Sequence, residues 1–289
     1  MRGIHSTSTV LRCASFQLTL DRPLLMAIVN LTPDSFSGDG LLTPNGNQQE
    51  AAIRYAFAQI EAGADLLDLG AESSRPGAMP ISSAEELARL LPILDALRDC
   101  AVPISVDTYK PEVMRAALAH GAAMINDIYA LRMPGALAAV KDSDCGLCLM
   151  HMQGEPLSMQ QQPQYTEVVT EVRAFFSERL DVVKAHGIAP ERLLLDPGFG
   201  FGKTLAHNLE LLRRLAELAH EHVPLLVGLS RKSMLGTLTG RASQERQAAS
   251  VAAALLAAQN GAQILRVHDV AATRDALAVW QAVLGSASA

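Results

Sequence analysis

Eight short apolar runs, each followed by charged or reactive side chains, are spaced along this chain and limit how it can fold. Their bounds are 24–29, 66–69, 103–106, 123–125, 147–150, 193–195, 224–229 and 264–267. Between them lie stretches with apolar residues at helical spacing, such as Val168, Val172, Phe176 and Val183. Short apolar strands that alternate with amphipathic helices are typical of a parallel sheet covered by helices. Eight such units predict a (β/α)8 TIM barrel, with an open doubly wound sheet as the structural alternative.

The rest of the chain fits one domain with a short lead-in. Residues 15–22 have a strand-like pattern and predict a short strand or hairpin over the barrel floor. We therefore divide the chain into an N-terminal extension, 1–14, and a single barrel domain, 15–289. Two connections, 31–47 and 70–83, are long, rich in Gly, Pro, Ser and Thr, and follow predicted strands. Loops at that end of a barrel carry function, so we expect both to be mobile and functional.

Composition excludes several classes of partner. Aromatic residues make up only 4% of the chain, the formal net charge is -6, and no long Lys/Arg block occurs. Nucleic-acid surfaces are basic and often carry aromatic rings, so we expect no nucleic-acid partner. No run approaches the roughly 20 apolar residues of a membrane span, and the N-terminal segment lacks the apolar stretch of a signal peptide. We therefore predict a cytoplasmic protein without a membrane partner.

One predicted helix, residues 248–258, contains no charged residue and is mostly alanine. A helix that is apolar on most sides is buried on most sides. Barrel helices normally expose one face to water, so this helix predicts a homodimer contact.

Two patterns resemble known sites but lack the context of those sites. Cys145 and Cys148 form a C-x-x-C pair inside an apolar run, so we interpret both as core residues rather than a redox or zinc site. The glycine-rich segment 198–204 does not have the spacing of a Walker A loop. Its glycines would instead let the backbone approach a ligand above Asp196.

The polar residues that follow the runs form one chemical set. They are the carboxylates Asp107 and Asp196, the amides Asn30 and Asn126, the cations Arg75, Arg231, Lys232 and Arg266, and the histidines His151 and His268. Carboxylates and amides can pair with a heterocycle that has both donors and acceptors, and the cations suit anions. The set indicates an enzyme that acts on a polar heterocycle with an anionic group, without identifying the reaction. The alternatives are helix caps with surface ion pairs, or a metal site at the two histidines, which have no third ligand at close spacing.

Eight segments of the chain, in order, resemble the signatures of the dihydropteroate synthase family. The first two read Asn-Leu-Thr-Pro-Asp-Ser-Phe-Ser at 30–37 and Gly-Ala-Glu-Ser-Ser-Arg-Pro-Gly at 70–77. The others lie at 105–108, 125–127, 150–152, 195–203, 230–233 and 266–269. No single segment is specific, but eight in sequence over roughly residues 15 to 285 are.

The resemblance implies a (β/α)8 fold and a transferase of the folate biosynthesis pathway, of the single-function bacterial type. Enzymes of this family join 6-hydroxymethyl-7,8-dihydropterin diphosphate to 4-aminobenzoate, giving 7,8-dihydropteroate and pyrophosphate, with Mg²⁺. They are commonly homodimers and are the targets of sulfonamides. A dissociative substitution is the expected chemistry, because the electron-rich pterin ring can share positive charge and no nucleophilic side chain is needed.

Carried over residue by residue, the resemblance implies three groups of site residues. Pterin diphosphate is expected at Ser74, Asp107, Asn126, Asp196, Lys232, Arg266 and His268. The 4-aminobenzoate is expected at Arg75, Phe201 and Ser233. Asn30 is expected to hold Mg²⁺, and the catalytic set is Asn30, Asp107, Lys232, Arg266 and His268. His151, at the end of the fifth run, has no firm role.

The chain departs from the family pattern at a few positions. Gly38 and Asp39 reverse the usual order in the first long connection, which leaves any role of Asp39 open. Ala71 stands where glycine is common, and Ser74 where threonine is common, although serine keeps the hydroxyl. A pterin-dependent methyltransferase and a non-catalytic pterin-binding paralogue are the competing interpretations.

Overall fold

The computed structural model describes residues 10–32, 48–73, 79–156, 158–220 and 222–285. An antiparallel hairpin of β1 (Val10–Cys13) and β2 (Phe16–Thr19) comes first. The eight strands that follow are β3 (Leu24–Asn30), β4 (Leu66–Gly70), β5 (Ile104–Asp107), β6 (Met124–Asp127), β7 (Gly146–Met150), β8 (Leu193–Asp196), β9 (Leu226–Val227) and β10 (Ile264–Val267). Each of the eight apolar runs therefore overlaps one strand.

These eight strands form one parallel sheet that closes on itself. Their order is β8-β7-β6-β5-β4-β3-β10-β9, so each strand lies beside its neighbours in the chain. The two ends of this order meet where Leu195 and Leu225 form a parallel bridge and Leu195 N donates to Pro224 O at 3.0 Å. The predicted (β/α)8 barrel is confirmed, and the open doubly wound alternative is wrong because that sheet would leave its edge strands apart.

Helices between the strands cover the outside of the barrel. They are α1 (Gln48–Glu61), α2 (Ser83–Leu97), α3 (Pro111–Ala119), α4 (Ala136–Val140), α5 (Val168–Ala185), α6 (Leu205–Arg213), α7 (Ser233–Thr239), α8 (Gln247–Gln259) and α9 (Val270–Val283). Local sequence sets several boundaries: the Ser82 hydroxyl accepts from Glu85 N at the start of α2, and Pro111 opens α3. Gly261, after α8, has a φ of +103°, a conformation that favours glycine.

The hairpin covers the amino end of the barrel and begins earlier than expected. We assigned residues 1–14 to an extension and the lead-in to 15–22, but β1 already starts at Val10. Leu11 and Cys13 are buried while Arg12 between them is exposed, as a strand with one packed face requires. Both buried residues belong to an apolar group that we call the floor cluster. Its members are Leu11, Cys13, Leu24, Met26, Leu66, Ala123, Met124, Cys148, Leu194, Leu226 and Ile264.

Three further expectations concern the two cysteines of the C-x-x-C pair, membrane-spanning helices and the two long connections. Cys145 and Cys148 are buried free thiols, as a core interpretation requires. Within the described ranges, no helix has the length and apolar character needed to cross a bilayer. Most of the first long connection (33–47) and part of the second (74–78) lie outside the described residues, so their expected mobility stays a prediction.

Candidate active site

Three polar side chains stand at the carboxyl end of the barrel, on β3, β5 and β6, with a glycine on β4 between the first two. The parallel register aligns Asn30 with Gly70, Gly70 with Asp107, and Asp107 with Asn126. A Cβ placed on Gly70 would lie 3.7 Å from Asn30 Oδ1 and 3.9 Å from Asp107 Oδ2. Because glycine has no side chain, both oxygen atoms border the same open space.

On four strands, the side chain that faces the barrel interior is apolar at one position and polar two residues further along. The floor cluster contributes Leu66, Met124, Leu194 and Ile264. Two positions further along the same strands are Asp68, Asn126, Asp196 and Arg266, which we call the polar layer. Alternate residues of a strand face the same side, so these four side chains also point into the barrel.

Arg266 connects two carboxylates within the barrel. Its Nε donates to Asp68 Oδ2 at 2.6 Å, and its Nη2 donates to Asp107 Oδ2 at 3.0 Å. Burial disfavours the charge of this guanidinium, but the two carboxylates outweigh it and raise the pKa of Arg266 above its ordinary value. Arg266 therefore remains charged, and its two ion pairs fix the orientation of its plane.

Asp68 is a residue of this site that the sequence analysis missed. It is fully buried, and its Oδ2 also accepts from Asn126 Nδ2 at 3.2 Å. The available signal was a single carboxylate inside the apolar run 66–69. A charge in the middle of such a run requires a buried partner, which here is Arg266.

Buried oxygen atoms around this layer have unused hydrogen-bonding capacity. Asp68 Oδ1, Asn126 Oδ1 and Ser105 Oγ have no hydrogen-bond partner in the part of the chain that the structure describes. Leaving a buried polar atom unpaired typically costs about 1–3 kcal/mol. A ligand that donates hydrogen bonds at this depth would remove that cost.

Burial raises the pKa of the two carboxyl groups at the strand ends. The pKa of Asp107 rises to about 7, because burial and the nearby Asp68 outweigh the attraction of Arg266. Burial also raises the pKa of Asp196, against a hydrogen bond from Gly198 N at 2.7 Å and the charge of Lys232. Both carboxyl groups therefore gain more from a hydrogen-bond donor or a positive charge on a ligand than an exposed aspartate would.

Phe201 and Lys232 lie next to each other near Asp196. Lys232 Nζ is 4.3 Å from the centre of the Phe201 ring, a distance typical of a cation–π contact. Ser233 follows as the first residue of α7 and is exposed. The Phe201 ring also packs in an apolar cluster with Ile128, Met150, Met152 and Met159.

The turn that carries Lys232 is held by α8. Arg246 Nη1 donates to the carbonyl oxygens of Arg231 at 3.0 Å and of Lys232 at 3.3 Å, and Ser250 Oγ accepts from Arg231 N at 2.9 Å. Arg231 has a φ of +58°, which these contacts and an ion pair with Asp269 at 2.9 Å maintain. The backbone at Lys232 is therefore fixed from outside the barrel.

His268 contacts the same turn from the neighbouring strand. It follows β10, and its Nδ1 lies 2.9 Å from Ser230 Oγ. The structure thus brings Asn30, Asp107, Lys232 and His268 to one end of the barrel, as the sequence predicted. It does the same for Asn126, Asp196, Phe201, Ser233 and Arg266.

Ser74 and Arg75, together with Asp39, lie outside the described residues. The two described ends of the second long connection are joined through Glu72 and Lys110. Lys110 Nζ contacts Glu72, donates to Ile81 O at 2.7 Å and pairs with Glu86 at 2.7 Å. Ile81 N in turn donates to the Glu72 carboxylate at 3.2 Å. Side chains on α2 and α3 therefore hold residues 72 and 81 together.

His151 contacts a lysine rather than a metal-ligating group. Its Nδ1 lies 2.9 Å from Lys203 Nζ, and burial together with that charge lowers the pKa of His151 to about 2. Over the described ranges, no group of three or more His, Cys, Asp or Glu side chains is arranged to hold a metal ion.

Comparison with known proteins identifies the family. The family model described as "Pterin binding enzyme" matches residues 26–268. The dihydropteroate synthase of Escherichia coli (strain K12) is 49% identical over 270 residues, which cover 93% of this chain and 94% of that protein.

Solved structures agree with this result. The Xanthomonas albilineans dihydropteroate synthase with 4-aminobenzoic acid is 54% identical, with a TM-score of 0.89 over 96% of this chain and 99% of that one. The Burkholderia cenocepacia enzyme complexed with 7,8-dihydropteroate is 51% identical, with a TM-score of 0.88 over 96% and 97% of the two chains. The Yersinia pestis enzyme in a sulfonamide drug complex is 46% identical, with a TM-score of 0.90 over 96% and 99%. The chain therefore belongs to the pterin-binding enzyme family and, within it, to the dihydropteroate synthases.

Proposed function

We propose that this protein makes 7,8-dihydropteroate at the carboxyl end of its barrel and binds the pterin ring in the polar layer. The reaction joins 6-hydroxymethyl-7,8-dihydropterin diphosphate to 4-aminobenzoate and releases pyrophosphate, the transferase activity EC 2.5.1.15. The observation that carries the proposal is the pairing of Arg266 with Asp68 and Asp107 beside buried oxygen atoms that have no hydrogen-bond partner among the described residues.

The pterin ring matches this layer in its hydrogen-bonding groups. Its ring N–H and amino group would donate to Asp196 and Asn126, with Asp107 as a second carboxylate. Bonds to a carboxylate are charge-assisted and therefore stronger than neutral ones. Lys232 would donate to the pterin carbonyl and a ring nitrogen. Arg266 would lie against the face of the ring, which its planar guanidinium suits and a lysine would not.

The 4-aminobenzoate would bind beside Lys232. Phe201 would pack on its ring, and Ser233 would donate to its carboxylate. The contact between Phe201 and Lys232 supports this assignment, since it places the aromatic wall next to a pterin-binding cation. Arg75 is proposed as a further partner of the carboxylate, on the resemblance of its segment alone.

The diphosphate group would extend toward His268 and Asn30. Ser74 is proposed as a further partner on the resemblance of its segment alone. A magnesium ion fits this end of the site, because the Asn30 and Asp107 oxygens border one open space and Mg²⁺ prefers oxygen ligands. Asn30 would hold the ion together with the phosphate oxygens of the substrate. Bound there, Mg²⁺ would neutralise negative charge on the leaving group.

The substitution itself would proceed without a nucleophilic side chain. The bond between the pterin methylene carbon and the diphosphate oxygen breaks, and both electrons leave with pyrophosphate. Asp107 and Asp196 would stabilise the resulting pterin cation, and Asn30 and His268 the departing pyrophosphate. The amine nitrogen of 4-aminobenzoate then forms the new C–N bond and loses a proton.

A pyrophosphate-release assay tests the reaction. The purified protein is mixed with the pterin diphosphate and Mg²⁺, with or without 4-aminobenzoate. Release that requires 4-aminobenzoate supports the proposal. Pterin binding without release would indicate a non-catalytic pterin-binding protein or a methyltransferase and would contradict it. Full activity in the presence of a chelator would contradict the magnesium assignment alone.

We also propose that the protein is a homodimer through α8 and the adjacent α9. Both helices expose apolar side chains: Leu256 is 49% exposed, Val279 67% and Val283 79%. Exposed apolar side chains on two helices in contact with each other favour a protein contact there. Light scattering at micromolar concentration should give the mass of two chains, and Leu256→Glu should shift it toward one. A monomeric mass for the unmodified protein would contradict the proposal.

A further inference from the structure

Lys203 is the last residue but one of the glycine-rich segment 198–204 and binds the backbone that precedes it. Its side chain is buried, with 3% of the residue exposed. Its Nζ donates to the carbonyl oxygens of Gly198 and Phe201, both at 3.0 Å, and lies 2.9 Å from His151 Nδ1. A fourth acceptor, His151 O, lies further away at 3.4 Å. A protonated lysine has three N–H donors, which the three closer acceptors can use.

His151 can act as the third acceptor only when it is neutral. Its Nδ1 must keep a lone pair, so the ring proton is assigned to Nε2. Burial keeps the pKa of the histidine low and the ring neutral, and the charge of protonated Lys203 adds to this effect. Burial also lowers the pKa of Lys203, to about 7, so the lysine carries its charge fully only below that pH. The edge-to-face contact with the Phe175 ring, at 4.9 Å between centroids, fixes the imidazole further.

The two carbonyls that Lys203 binds belong to the turn that places Phe201. Phe201 N donates to Gly198 O at 3.0 Å, which closes this turn. The turn also lies directly on the segment after β7. A Cβ on Gly198 would approach His151 O to 2.0 Å, and one on Gly202 would approach Gln153 O to 2.3 Å. Lys203 and His151 therefore join two segments that are already in backbone contact.

We propose that Lys203 and His151 are positioning residues for the second substrate. They fix the turn 198–202 so that Phe201 stands against Lys232 and forms one wall of the 4-aminobenzoate site. This inference rests on the role proposed above for Phe201. The pterin contacts come mainly from residues on the strands of the barrel. The segments that the pair joins reach one of these residues, Asp196, through backbone donors: Gly198 N donates to its carboxylate at 2.7 Å and His151 N to its carbonyl oxygen at 2.9 Å. Neither bond uses the side chain of Lys203 or His151. Loss of the pair should therefore weaken the use of 4-aminobenzoate far more than the use of the pterin diphosphate.

Steady-state kinetics of three variants test the inference. His151→Leu removes the acceptor and keeps the lysine, whereas His151→Asn keeps an acceptor near the position of Nδ1. Lys203→Met removes all three donors. We expect His151→Leu and Lys203→Met to raise the KM for 4-aminobenzoate about tenfold or more, the change typical of losing a charged hydrogen bond. The KM for the pterin diphosphate should stay within about threefold, and His151→Asn should stay near the unmodified protein.

Two controls make the outcome decisive. Lys184→Met makes the same chemical change at an exposed lysine on α5 and should alter neither KM. Phe201→Ala tests the proposed role of Phe201 directly.

If Phe201→Ala raises the KM for 4-aminobenzoate and folded His151→Leu does not, the inference is wrong while the proposed function stands. If Phe201→Ala has no effect, the assignment of Phe201 fails, and the inference fails with it. An equal rise in both KM values would also overturn it, because a merely structural defect would affect both substrates. If Lys203→Met does not fold, the two His151 variants decide alone.

Discussion

At its amino end the barrel interior is filled by apolar side chains, whereas two residues further along the same strands it holds charged groups. Leu66 and Ile264 belong to the floor cluster, and Asp68 and Arg266 form an ion pair one layer above them. Two residues of a strand span roughly 6.6 Å. Side chains that stabilise the fold and side chains that are proposed to bind the substrate are therefore only two residues apart on the same strand.

The two layers also differ in what a substitution should change. The floor cluster has no polar groups to satisfy and is covered by the β1–β2 hairpin. The polar layer contains buried charges and, as far as the described ranges show, oxygen atoms without a hydrogen-bond partner. Substitutions in the floor should therefore act on the free energy of unfolding, and those in the polar layer on ligand affinity.

The largest effect is expected in the floor, from Leu11→Ala. Leu11 is fully buried, and truncating a buried leucine typically costs about 2–5 kcal/mol of unfolding free energy. Urea denaturation followed by circular dichroism measures this loss, and the KM values should not change. The neighbouring Arg12→Ala, on the exposed face of the same strand, should cost less than about 0.5 kcal/mol. A changed KM in the Leu11 variant would show that the two layers are coupled.

At the strand ends, Asp196→Asn should weaken pterin binding while the fold stays intact. One charge-assisted acceptor becomes a partial donor, which typically costs about 1.5–3 kcal/mol, or roughly tenfold to a hundredfold in affinity. Calorimetric titration with the pterin diphosphate measures the change. Asp144→Asn makes the same substitution at an exposed position near the amino end and should leave the affinity unchanged. Normal pterin affinity in a folded Asp196 variant would contradict the assigned site.

Asp68→Asn tests where the boundary between the layers lies. Arg266 would lose a charged acceptor at 2.6 Å but keep Asp107 at 3.0 Å. Because Arg266 keeps its ion pair with Asp107, we expect the pterin affinity to fall only about tenfold. The unfolding free energy should fall by about 1–2 kcal/mol. Unchanged affinity together with reduced stability would assign Asp68 to the structural layer instead.

Much of the fold could be predicted because strands and helices alternate regularly in the sequence. All eight apolar runs overlap a strand, although the run at 224–229 contributes only the two residues of β9. The hairpin strand at Val10–Cys13 was missed because four residues with one polar interruption do not stand out from an extension. Its assignment depends on packing against the floor cluster, which no local pattern reveals.

The site was predictable where side chains follow a strand and less so elsewhere. Asp107 and Asp196 end strands, Asn126 is the last residue but one of β6, and parallel register brings strand ends together. Asp68 lies inside a run, and only the register shows that it faces Arg266, 198 residues away. His151 and Lys203 are 52 residues apart, and their contact depends on how the segments after β7 and β8 pack.

The smallest expected effect is a dependence of the unfolding free energy on pH, which arises from His151 at the carboxyl end of the barrel. Burial and Lys203 lower the pKa of His151 to about 2 from an ordinary value of 6.5. Below that ordinary value, the unfolded chain binds a proton at this position that the folded chain does not. The unfolding free energy should therefore fall with falling pH, by about 1.4 kcal/mol per pH unit from this group alone. His151→Asn should remove that contribution, and the same change at exposed His186 should not. Denaturation curves measured between about pH 6 and about pH 5 give the slope of the unfolding free energy against pH. If this slope is equal in the unmodified and the His151→Asn proteins, His151 accepts a proton in the folded state. The buried contact with Lys203 would then not hold in solution as the structure has it.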